Sequence, residues 1–134
     1  MTKEDKKRVS DFCKSYIPAR EELNRAKKSR AMLEKKLSTD LTKFERLLIE
    51  DTIRVLEAKI EKQMRIMYGF EIKLNGLKGL DKSIIYQLYV EGKAWNEIIN
   101  EEGVSISTAR VGVIRNRALE KLANYIPADD MSQG

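Results

Sequence analysis

Histidine is absent from this 134-residue chain, and cysteine occurs once, as Cys13. A lone thiol without ligand companions leaves no zinc site and no internal disulfide, which reads as a reduced, cytoplasmic protein without a metal. With two prolines and seven glycines, few positions forbid helix. No run approaches the roughly 20 apolar residues that a bilayer demands. The charged opening MTKEDKKRVS leads into no apolar stretch, so a secretory signal is not expected. Catalytic equipment is equally scarce. The sequence offers no glycine-rich phosphate loop and no nucleophile elbow. Its acidic pairs, Glu50-Asp51 and Glu101-Glu102, are adjacent and so point to different faces of a helix. An enzyme is not expected, nor is a cofactor.

What the chain does have is the composition of a folded, helix-rich protein: 42% hydrophobic and 35% charged residues. The net charge of +5 favours a polyanionic partner, since lysine and arginine supply most non-specific affinity for nucleic acid. Residues 1–79 hold 20 basic and 13 acidic side chains, residues 80–134 six and eight. Within the second part, Arg110, Arg115, Arg117 and Lys121 cluster with only Glu120 against them. The local field there is positive although the segment is not.

Apolar periodicity divides the chain. Val9, Phe12, Cys13, Tyr16 and Ile17 predict a short first helix, frayed at its charged start and closed by Pro18. Leu23, Ala26, Arg30, Leu33 and Leu37 predict a helix over 20–37, with Arg25, Lys27 and Lys28 on its solvated face. Thr42 and Glu45 have capping-box spacing, with Asp40 an alternative cap, and open a helix to about Tyr68 that Gly69 would end. Its stripe is Ile49, Ile53, Leu56, Ile60, Gln63 and Met67, widened at the start by Leu41, Phe44, Leu48 and Val55. Such a helix is about 40 Å long. It needs the 20–37 helix, another copy of the chain, or both, to cover its stripe. The expected organisation is therefore all-α: a helical hairpin or coiled-coil-like oligomerisation region over 1–68, a linker over 69–80, a DNA-binding unit over 81–126 and a disordered tail over 127–134.

The third region carries the functional reading. Asp81 can cap a helix that buries Ile84, Ile85, Leu88 and Tyr89, and Gly92 can end it in a left-handed residue. Residues 95–101 predict a helix of about two turns with Trp95 as a core anchor. After Gly103, Ser105 has the chemistry of an N-cap for a helix to about Tyr125. Helix, glycine turn, helix is the order of a helix-turn-helix, whose second helix enters the major groove of double-stranded DNA. Ser105, Ser107, Thr108 and Arg110 then face the DNA, Val111 meets a thymine methyl, and Arg115, Arg117 and Lys121 reach phosphates or another protein. Ala109 faces inward, and Val113, Ile114, Ala118, Leu119 and Leu122 pack. The plain alternative is a three-helix bundle with no DNA role.

The string YVEGKAWNEII…GVSISTAR…NRALEKLA, within residues 80–126, resembles region four of bacterial sigma factors. It is similar in particular to small phage late-transcription regulators of the ArpU and RinA kind. The resemblance implies a sigma-like helix-turn-helix, binding to DNA upstream of late genes and contact with host RNA polymerase. Ile106, Ser107 and Thr108 replace the charged residues of primary sigma factors, so the usual promoter hexamer is not implied. Two copies would set their second helices about 34 Å, or a multiple of that, apart and predict a repeated half-site. Two rivals fit the same residues: a protein-only sigma mimic that binds polymerase, and a DNA-packaging component like a small terminase subunit.

Overall fold

The computed structural model describes residues 2–125, apart from the side chain of Tyr125, and the tail expected at 127–134 lies outside them. It is all-α, as the periodicity predicts. Five α-helices span Lys3–Lys14 (α1), Tyr16–Leu37 (α2), Lys43–Leu74 (α3), Gly79–Tyr89 (α4) and Thr108–Tyr125 (α5), with one 3₁₀ turn at Trp95–Glu97. They form two compact units: Pro18–Met67, and the residues before it joined by those from Tyr68 onward.

The Pro18–Met67 unit is a hairpin built from one apolar stripe on each helix. Leu23 and Ala26 of α2 bury against Ile60 of α3, and Leu56, Met64 and Met67 close around them. α3 begins where the capping box predicts. Thr42 Oγ1 accepts the Glu45 N–H at 3.1 Å, and the Glu45 carboxylate accepts the Thr42 N–H at 3.3 Å. Each side chain satisfies an orphan donor of the first turn. Phe44, Leu48 and Val55, expected to widen the buried stripe, instead stand in solvent.

The other unit gathers α1, the end of α3, α4 and α5. α1 does not fray: Thr2 and Asp5 form a second capping box. Nor does Pro18 end a helix. It is the third residue of α2, within the first turn, where its missing N–H has no helical partner to lose. The expected linker at 69–80 is largely helical as well. α3 runs through Gly69 to Leu74 because Phe70 and Leu74, four apart, are both buried. Their burial outweighs the roughly 1 kcal/mol that a helical glycine costs. Phe70 packs beneath Phe12 and Tyr16, with ring centres 6.1 and 5.1 Å away, and Tyr16 Oη donates to Glu71 at 2.9 Å.

α5 is the centre of this unit, lying on α4, α1 and the 3₁₀ turn. Ile84, Ile98, Val111 and Ile114 form its core, with Leu80, Leu88 and Ile106 at the margin. Three residues past the end of α4, Gly92, with φ at 69°, carries the chain into the left-handed region that a side chain resists.

Candidate nucleic-acid interface

The segment between α4 and α5 departs most from expectation. Residues 95–101 are not a two-turn helix: after the 3₁₀ turn the chain extends, and Ile99 bridges Ser105 antiparallel. A buried side chain of α4, Gln87, explains why. Its Nε2 donates to the Ile99 carbonyl at 2.9 Å and its Oε1 accepts the Ile99 N–H at 3.1 Å. The amide thus takes both backbone groups that a helix would have used. Ile106 N–H donates to the Ile98 carbonyl at 3.0 Å, and Asn100 N–H to the Val104 carbonyl at 2.9 Å. Asn100 Oδ1 accepts from the Glu102 and Val104 N–H groups in the connecting turn. Gly103, with φ at 78°, completes it. The first motif helix is therefore replaced by a bridged turn.

The start of α5 moves accordingly. Ser105 lies in the bridge and does not cap the helix. Ser107 does: its Oγ accepts the Arg110 N–H at 3.3 Å, and its carbonyl the Val111 N–H at 2.9 Å. The outward face of α5 is Ala109, Val113, Asn116 and Glu120, spaced four, three and four, and all four are exposed. Arg110 and Arg117 flank it on one edge. Two expectations fail by this rotation. Val111 is fully buried beside Ile84 and Ile98 and cannot reach a thymine methyl, whereas Val113, expected to pack, is 67% exposed. Ala109 faces solvent rather than the core.

Of the remaining expected contacts, Ser105, Ser107, Thr108 and Arg110 are exposed. The three later cations are each engaged by side chains of other helices. Arg115 Nε donates to Tyr89 Oη at 2.8 Å and its Nη2 to Ser10 Oγ at 3.1 Å, which ties α5 to α4 and α1. Its guanidinium lies 5.4 Å from the centre of the Trp95 ring. Trp95 is 42% exposed, so it is no core anchor; its ring covers Gly112 and Arg115 from the side.

Arg117 and Lys121 both serve Asp81, at 3.0 Å from Arg117 Nε and 2.6 Å from Lys121 Nζ. Asp81 was expected to cap α4, but it is the third residue of that helix, and its side chain is almost wholly buried. Burial pushes its carboxyl up; the two hydrogen bonds and positive charges outweigh that and hold it below the usual carboxylate range. The cations remain half exposed. The periodicity of the sequence signalled neither this pair nor Gln87. The one available hint for Gln87 was an amide on the α4 face that Ile84 and Leu88 occupy.

The electrostatic result is a helix with an open, positive beginning. α5 has no acidic residue before Glu120, so its first three turns carry Arg110 and Arg115 without a carboxylate partner, while Arg117 is paired with Asp81 of α4. Its amino-terminal dipole adds to their field. No cluster of possible metal ligands occurs among the described residues, and no described helix is long and apolar enough to cross a membrane. Compared with known proteins, the chain matches no family model, no curated protein and no solved structure.

Proposed function

We propose that this chain binds double-stranded DNA through the amino-terminal half of α5 and acts as a transcription regulator. The observation that carries the reading is the exposed, carboxylate-free beginning of that helix, from Ser107 to Asn116. A helix of that width fits the major groove, and its free N–H groups suit a phosphate. Ser107 and Thr108 would meet the backbone, and Arg110 a guanine edge or a phosphate. Val113 takes over the thymine-methyl role expected of Val111. Asn116, one turn on, has the paired donor and acceptor that adenine requires. Glu120 limits groove contact to the first three turns, because a carboxylate would face phosphate beyond them.

The test is selection of bound duplexes from random DNA, followed by anisotropy titration at several salt concentrations. Arg110→Ala should weaken binding by about 1–3 kcal/mol if it reads a base, and should flatten the salt slope by about one if it neutralises a phosphate. Unchanged affinity and slope would remove it from the interface. A second reading, that this face binds RNA polymerase rather than DNA, is favoured by Val113 standing so exposed at the centre of the face, with Glu120 behind it. That protein would be retained by polymerase in a pull-down and would shift no duplex.

A further inference from the structure

α3 carries two apolar seams rather than one. The first, Ile49, Ile53, Leu56, Ile60, Gln63 and Met67, is at least half-buried throughout and holds the hairpin closed. The second, Phe44, Leu48, Asp51, Val55, Ala58 and Lys62, repeats the same four-three-four-three-four spacing, and all six are exposed. At about 100° per residue the two seams lie about 140° apart, so no helix covers both. Phe44 is 70% exposed, Val55 65%, Leu48 53%, and Leu47 at the edge 50%. Together they leave on the order of 400 Å² of apolar surface in water on each chain, within the range of the largest patch on a monomer, which is often functional.

We infer that this second seam joins two copies of the chain, with their α3 helices antiparallel. Self-pairing fits because the seam repeats every three to four residues, the spacing by which helices interlock side by side. Orientation follows from Lys62 and the apolar side chains, because Asp51 lies near the middle of the contact in either arrangement. A parallel pair in register would set Asp51 against Asp51 and Lys62 against Lys62. Reversing one helix about a two-fold axis between Ile49 and Glu50 sets Phe44 of each copy against Val55 of the other, and Leu48 beside Asp51. Asp51 keeps its own ion pair with Arg54, at 3.0 Å, on the rim. Two such patches bury about 800 Å² of apolar surface, and with a polar rim reach the lower range of specific interfaces. Pairing through this seam is independent of whether α5 binds DNA.

Sedimentation of the full chain across the micromolar range tests it. The expected result is a concentration-dependent dimer. Leu48→Glu and, separately, Val55→Glu should raise its dissociation constant about tenfold or more with unchanged helical circular dichroism, because both side chains already stand in solvent. A chain that stays monomeric, a ring of many copies, or variants that dimerise like the parent would overturn the interface. Cysteine cross-linking tests the orientation. Phe44→Cys mixed with Val55→Cys should form a disulfide dimer, while Val55→Cys alone should not. Self-linking by Val55→Cys would overturn the antiparallel arrangement. Cys13 stays out of such reactions: it is buried, and burial pushes its thiol up to about 12 despite the opposing charge of Arg115.

Discussion

The hairpin of Pro18–Met67 and the unit built around α5 are both helical, yet different kinds of interaction decide their backbones. In the hairpin, one stripe per helix meets another, and the ion pairs are peripheral: Arg25 to Glu22, Lys59 to Glu22, Arg54 to Asp51. Exposed pairs of this kind contribute little. In the α5 unit, single polar side chains buried among apolar neighbours determine the path. Gln87 holds Ile99 extended, Asp81 draws in Arg117 and Lys121, and Arg115 reaches Ser10 and Tyr89. A stripe tolerates many substitutions of similar size, whereas a buried polar link fails when one partner goes.

The largest expected effect follows from that contrast. Gln87→Ala strips both partners from the Ile99 backbone and leaves a half-buried N–H and carbonyl facing α4. Unfolding in urea should show a loss of about 2–4 kcal/mol. A loss within about 0.5 kcal/mol of the parent would erase the distinction between the two regions, since any exposed substitution could do as much.

Asp81→Asn should come next, at about 1–3 kcal/mol near neutral pH, moderated because Arg117 and Lys121 can return to water. Its pH dependence has a definite sign. The folded carboxyl titrates below its unfolded value of about 3.9, so its contribution is complete above that value and is lost as pH falls through the folded one. The stability difference between parent and Asp81→Asn should therefore be flat around neutrality and shrink below about pH 4. A difference that persists undiminished into stronger acid would mean that the ion pairs are not its source.

The same contrast explains how much of the molecule was legible in its sequence. The start of α3 was readable from the reciprocal capping box of Thr42 and Glu45, unlike the single cap signals of Asp81 and Ser105, and so were stripes such as Ile53 and Ile60 with Leu23 and Ala26. Gly92 was readable because a helix end needs its left-handed φ. Residues 95–101 were not, since Trp95, Ile98 and Ile99 have helical spacing while the deciding group lies twelve residues away on Gln87. Moving the helix start from Ser105 to Ser107 then turned the candidate face, exchanging Val111 for Val113. Gly69 and Pro18 misled for a related reason: each is a weak local signal that the burial of Phe70 and Leu74, or a first-turn position, overrides. The exposure of Arg110 and Thr108 was legible because it depends little on register at a helix end.

The smallest expected effect has the opposite sign and returns to a second glutamine. Gln63 lies on the buried seam of α3, half-buried and level with the stripe of Ile60 and Met67. No extended segment needs it there; a helix supplies its own backbone partners, so its amide is the one polar group in a row of hydrocarbon. Gln63→Leu keeps the volume, extends the stripe and removes an amide from partly apolar surroundings. At about 25 cal/mol per Å² of added apolar burial, the gain should reach at most about 1 kcal/mol, seen as a rise of a few degrees in the unfolding temperature. Gln63→Leu and Gln87→Leu make the sharper pair, because the substitution is identical and only the backbone beside it differs. Stabilisation by the first with destabilisation by the second would locate the difference between the two regions in what each amide holds. Destabilisation by both would mean that the hairpin, too, depends on a polar link its stripe conceals.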